Sequence, residues 1–159
     1  MSADTQHIAD VTLDERSIVR WSPEIEHERN VAIFDLLETN HFAPVGLPAG
    51  PYNLYISIVD GRLRFDVRST EGDDLSCITL SLSPFRKLIR DYFTVCDSYY
   101  AAIKKSASAT QIESIDMGRR GLHDEGAELL RERLANQVTI DENTARRLFT
   151  LICVLHLRN

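Results

Sequence analysis

A chain of 159 residues, 43% hydrophobic and 26% charged, has material for one hydrophobic core and too little for two, and it carries no biased tract that would keep it unfolded. Net charge is −6 and unevenly placed: residues 1–50 hold three basic and nine acidic side chains, whereas the rest is close to balance. No domain-wide positive field exists, which disfavours nucleic acid as a partner, and no stretch reaches the roughly 18 apolar residues of a membrane span. With neither a basic leader nor an apolar signal segment at its start, the chain is expected to be a single cytoplasmic domain, residues 1–159. Cys77, Cys96 and Cys153 are far apart, show no C-x-x-C spacing and are expected as buried thiols.

In chain order, residues 7–14 alternate Ala9, Val11 and Leu13 with polar neighbours, a short strand pattern. A helix is expected to start at WSPEIEHERNVAIFDLLETN, with Ser22 as N-cap, Pro23 as first residue and glutamates in the first turns; Ile25, Ala32, Ile33, Leu36 and Leu37 form its buried stripe. HFAPVGLPAGP, rich in proline and glycine, reads as an ordered loop.

Next comes a hairpin, YNLYISIVDGRLRFDVRS. A two-residue turn at Asp60-Gly61 pairs Ile58 with Leu63, Ile56 with Phe65 and Leu54 with Val67 on one face, leaving Ser57 with Arg64 and Tyr55 with Asp66 on the other. A second turn at EGDD leads into LSCITLSL, where Ile78, Leu80 and Leu82 extend the apolar face. The following helix, SPFRKLIRDYFTVCDSYYAAIKK, is apolar at i, i+3, i+4 spacing from Phe85 to Ile103 and suits the centre of the core. Another is expected from a capping box at Thr110 and Glu113, and a last one, TIDENTARRLFTLICVLHLR, from Asp141 as N-cap. Its surface is apolar almost all round, so it is buried in the domain or against a partner. The expected class is α+β: a three- or four-stranded antiparallel β-meander packed against about four α-helices, with a helical C-terminal half.

No phosphate-binding loop, dinucleotide fingerprint, H-E-x-x-H or G-x-S-x-G occurs, and no Cys/His spacing fits a zinc site, so neither a metal nor a cofactor is expected. The segments SPEIEHERNVAIFDLLE, LSPFRKLIRDYFTVCDSYYAAI, IESIDMGRRGLHDEGAELLRERL and TARRLFTLICVLH resemble an uncharacterised protein family of alphaproteobacteria, numbered 0262, over nearly the entire chain. That resemblance implies a small bacterial cytoplasmic protein and carries no activity with it.

Chemistry is concentrated in IDMGRRGLHDEGAELL. His123 stands at i+4 from Arg119 and i+3 from Arg120, so on a helix the three can share one cationic face, while Gly118 and Gly121 would let a carboxylate, phosphate or partner backbone approach closely. Against this, Asp116 and Asp124 are within helical reach of the arginines and can neutralise them. A second candidate patch is Glu26, His27 and Arg29, whose spacing suits acid–base work if that helix lines a pocket. These features point to an interaction or regulatory protein without catalytic activity, gripping an acidic protein segment through Arg119, Arg120 and His123 and self-associating through the apolar last helix. The alternative is a small enzyme or sensor that takes a phosphorylated or carboxylated metabolite at the same patch, with His123 or Glu125 as acid or base.

Overall fold

The fold, seen in a computed structural model describing residues 5–15 and 22–156, follows the order β1 (Ile8–Leu13), α1 (Pro23–Glu38), β2 (Phe42–Pro44), β3 (Tyr52–Val59), β4 (Arg62–Ser69), β5 (Asp74–Ser81), a short 3-10 turn, α2 (Arg86–Lys104), α3 (Ala109–Leu134), β6 (Val138–Ile140) and α4 (Glu142–His156). The class is α+β with a helical C-terminal half. Leu157 and Arg158, expected at the end of the last helix, lie outside the described residues.

The hairpin has the expected register, Ile58 opposite Leu63, Ile56 opposite Phe65 and Leu54 opposite Val67. Asp60 and Gly61 both take positive φ, 52° and 72°, the pair of left-handed residues that a tight turn between twisted strands demands. β5 adds antiparallel, with Ile78 opposite Phe65 and Leu80 opposite Leu63. The fourth strand departs from a pure antiparallel meander, because β1 pairs with β3 in parallel and the sheet, ordered β1-β3-β4-β5, is mixed. Parallel neighbours need a crossover, and the chain between β1 and β3 supplies it through α1. A register shift between Ile8 and Asp10 turns Ile8 inward in place of Ala9, so β1 buries Ile8, Val11 and Leu13. Within the expected loop, Phe42–Pro44 pairs antiparallel with Val138–Ile140 as a separate two-stranded ribbon.

The helices are capped as polar chemistry dictates, though not always at the expected residue. Ser22 accepts from the Ile25 amide at 3.1 Å and Asp141 from the Thr144 amide at 2.8 Å, both as the sequence indicates. The capping box of α3 is Ser108 with Gln111, two residues before Thr110 and Glu113; just past the end of α2 Ser106 takes φ 55°, and the new helix starts at once. Ser83 and Pro84 belong to the 3-10 turn, so α2 proper begins at Arg86.

One apolar cluster joins the inner face of the sheet to all four helices. α4 is its centre: every residue from Leu148 to Leu155 is buried, and the helix packs on α3, α1, α2 and β3. The apolar surface expected to mediate self-association is therefore consumed within the chain. Cys96 and Cys153 are buried, whereas Cys77 lies exposed on β5, because its side chain alternates away from Ile78 and the core. Among the described residues no helix is long and apolar enough to cross a membrane.

Candidate functional site

α3 is one uninterrupted helix through IDMGRRGLHDEGAELL. Gly118 and Gly121 face open space, with nothing within 4 Å of where a Cβ would stand. Gly126 instead sits against the buried ring of Phe149, whose atoms lie 2.6 Å from such a Cβ. Close packing thus explains the third glycine and neither of the first two.

The two arginines diverge. Arg120 points outward, its side chain 60% exposed, and grips Asp116 Oδ2 at 2.7 Å. Arg119 turns inward: Nε and Nη2 donate to Asp116 Oδ1 at 3.1 and 2.8 Å, Nη1 donates to Glu28 Oε2 at 3.2 Å, and the guanidinium lies 4.6 Å from the Tyr99 ring centroid. Burial opposes the charge of Arg119, but the Glu28 and Asp116 carboxylates outweigh it and hold the guanidinium protonated above its usual range. Asp116 sits below the ordinary carboxylate range: its own partial burial pushes it up, and the hydrogen bonds from Arg119 and Arg120 more than offset that.

Glu28 belongs to neither candidate patch, although it lies beside His27 in the second. Its side chain is 11% exposed and accepts from the Tyr92 hydroxyl at 2.7 Å and the Tyr100 hydroxyl at 2.6 Å, besides Arg119. Both hydroxyls are pushed well above the usual tyrosine range, by burial first and also by the carboxylate they face, so they remain donors. A signal was present: Ile25, Glu28, Ala32 and Leu36 fall on one helical stripe, and a glutamate in that row must find donors on whatever packs against it.

His123 follows Arg119 inward and stacks near Tyr92, ring centroids 5.0 Å apart. Its Nε2 is 3.2 Å from the Thr150 hydroxyl, which itself donates to the Arg146 carbonyl. When that hydroxyl proton is on the Arg146 carbonyl, the imidazole donates to Thr150 from Nε2. Burial pushes its pKa down to about 4, with the positive charges of Arg119 and Arg146 adding to the effect, so the ring is neutral near pH 7. Three cations do not share a face here; one is half-buried in a network, one is exposed and paired, and the histidine is uncharged. Asp124, within helical reach of Arg120, pairs instead with Arg146 at 3.5 Å.

Together α1, α2, α3 and α4 enclose a cleft of about 460 Å³. From α1 come His27, Glu28, Val31, Ala32 and Asp35; from α2 Tyr99, Tyr100 and Ile103; from α3 Arg119 and His123; from α4 Asn143, Arg146, Arg147 and Thr150. Arg147 lies 3.8 Å from Asp35 and donates to the Asn143 carbonyl at 3.2 Å, while its Nε is buried without a hydrogen-bond partner. Of the second candidate patch only His27 reaches this cleft; Glu26 is exposed, and Arg29 pairs with Glu15 and donates to Asn30 at 2.8 Å. Glu125 is exposed, roughly 200° around the helix from His123, and does not line the cleft. Among the described residues no group of three His, Cys, Asp or Glu side chains is placed to hold a metal ion.

Comparison with known proteins agrees with the resemblance in the sequence. The model of an uncharacterised protein family, UPF0262, matches residues 5–158. The chain belongs to this family. A UPF0262 protein of Rhodospirillum rubrum is 57% identical over 98% of this chain and 95% of its own length. One from Rhizobium leguminosarum bv. trifolii is 53% identical over 99% of both chains, and one from Rhodopseudomonas palustris (strain HaA2) is 58% identical over 94% of this chain and 91% of its own. No solved structure matches the chain.

Proposed function

We propose that this UPF0262 protein is a non-catalytic, cytoplasmic binding or sensor protein that takes a small anionic metabolite in the cleft between its four helices. The observation that carries this reading is the cleft itself, which is of ordinary ligand size, walled partly by apolar side chains and lined by three arginines against two carboxylates. Catalysis is less well supported: an imidazole held at a pKa of about 4 is a weak base near pH 7, and Glu125 stands outside the cleft. Recognition of an acidic protein segment has only Arg120 to offer at the surface of the predicted patch, and Asp116 already holds it.

A thermal-shift panel of carboxylates and phosphorylated metabolites tests the proposal, run in parallel on Val31→Trp. Val31 is 43% exposed on the cleft wall, so the larger ring obstructs the cleft with little cost to the core. At least one class is expected to raise the midpoint of the natural chain and to lose that effect in the variant. A panel with no response, or a response unchanged by Val31→Trp, overturns the reading.

A further inference from the structure

If the cleft binds a small anion, the state of its arginines decides which part of it receives the charge. Arg119 is already neutralised, because three of its five N–H groups are on the Asp116 and Glu28 carboxylates at 2.8–3.2 Å and one face is on Tyr99. Arg146 and Arg147 are different. Their ion pairs are long, 3.5 Å to Asp124 and 3.8 Å to Asp35, and the buried Nε of Arg147 has no acceptor at all. Leaving a buried donor unsatisfied is costly, and a carboxylate that draws the Arg147 fork a short way into the cleft removes that cost.

The opposite end has another character. Asp35 meets Arg147 on α4, whereas Glu24, three turns earlier on α1, pairs with Lys104 at the end of α2 at 3.2 Å; the cleft therefore runs along α1 from an α2 end to an α4 end. From His27 to Asp35 the helix rises about 12 Å. Tyr99 and Ile103 of α2 and Val31 of α1 supply apolar wall, with Val31 and Ile103 left 43% and 45% exposed. Glu28 and Asp35 line the same space and repel a second negative charge on the ligand.

Resting on the cleft-binding reading above, we propose that Arg146 and Arg147 form the seat for a single carboxylate, and that Val31, Tyr99 and Ile103 receive an apolar body. The ligand class is thus an amphipathic monocarboxylic acid, of arylalkyl or medium-chain type, in preference to a phosphate or polycarboxylate.

Isothermal titration of the full chain with octanoate and 4-phenylbutyrate, set beside acetate, citrate and inorganic phosphate, tests this. At least one of the first two is expected to bind at one site, ten-fold or more tighter than acetate, citrate and phosphate. Arg146→Gln and Arg147→Gln should each weaken that binding by ten-fold or more, and Arg147→Lys, which keeps the charge and loses the fork, by less. Ile103→Asp should weaken octanoate at least ten-fold. Circular dichroism melts of each variant confirm the fold. Phosphate or citrate binding as tightly as octanoate overturns the ligand class while the cleft reading stands. Octanoate binding that survives both glutamine variants overturns the seat. No binding by any of these probes, together with a blank thermal-shift panel, overturns both proposals.

Discussion

Three glycines of α3 lie in one helix interior, and their surroundings predict opposite responses to the same substitution. Alanine is favoured over glycine by about 1 kcal/mol at such positions, largely because it restricts the unfolded chain. At Gly118 and Gly121 the added methyl meets nothing within 4 Å, so Gly118→Ala and Gly121→Ala should each gain about 0.5–1 kcal/mol. The double variant should melt higher by roughly 2–8 °C, at the 2–4 °C per kcal/mol usual for a chain of this size. At Gly126 the methyl would stand 2.6 Å from three atoms of the Phe149 ring, which is fully buried and in edge contact with Tyr92, so the ring has no free direction in which to yield. Overpacking of this kind costs about 1–3 kcal/mol, which exceeds the propensity gain, so Gly126→Ala should be destabilised. Urea unfolding followed by circular dichroism measures all three on one scale. Equal stabilisation at the three sites would refute the packing geometry, and destabilisation at Gly118 or Gly121 would refute the open space assigned to them. If the double variant gains stability but loses a ligand or partner, close approach at these glycines is their function, as the sequence pattern invites one to expect.

The pKa of His123 makes stability depend on pH in a defined window. The unfolded chain takes this proton near pH 6.5 and the folded chain only near 4, so stability is full above 6.5 and falls as pH drops toward 4, by about 2–3 kcal/mol between pH 7 and 4.5. Unfolding free energies of His123→Asn should lack that component, and identical pH profiles for both chains would contradict it. Glu28→Ala should cost about 3 kcal/mol or more, because it strips Arg119 of one partner and leaves the buried Tyr92 hydroxyl and the half-buried Tyr100 hydroxyl without their acceptor, whereas Arg120→Ala at an exposed pair should cost about 1 kcal/mol or less; equal losses in chemical unfolding would place the network at the surface. A thiol reagent should titrate Cys77 alone in the native protein and reach Cys96 and Cys153 only on unfolding, since the latter two are buried and burial first, then the charge of Glu28, pushes Cys96 up to about 11. Release of all three thiols at one rate would count against the fold.

What could be read from the residues was what local chemistry decides. Asp60-Gly61 supplies two left-handed residues, and from there alternation dictates the register of β3 with β4. The parallel pairing of β1 with β3 has no such marker, because it joins segments some forty residues apart and a local irregularity exchanges Ala9 for Ile8 on the inner face. At the start of α3 two Ser/Thr-x-x-Gln/Glu candidates overlap, and the left-handed Ser106 that closes α2 selects the earlier one, a choice made by the preceding helix rather than by either cap.

The candidate site was legible only in part for a related reason. Arg119, Arg120, Arg146 and Arg147 face Asp116, Glu28, Asp124 and Asp35, four charges against four, so composition cannot separate a binding cleft from an internal salt-bridge network. The two differ in distance. Contacts of Arg119 and Arg120 to Asp116 at 2.7–2.8 Å are closed, while those of Arg146 and Arg147 at 3.5 and 3.8 Å are open enough for an incoming carboxylate to compete. That difference arises where α1, α3 and α4 meet, and no helix encodes it alone. Under the proposal above, it also moves the anion contact from the Arg-Arg-His triplet of α3, where residue types first drew attention, to the Arg-Arg pair of α4.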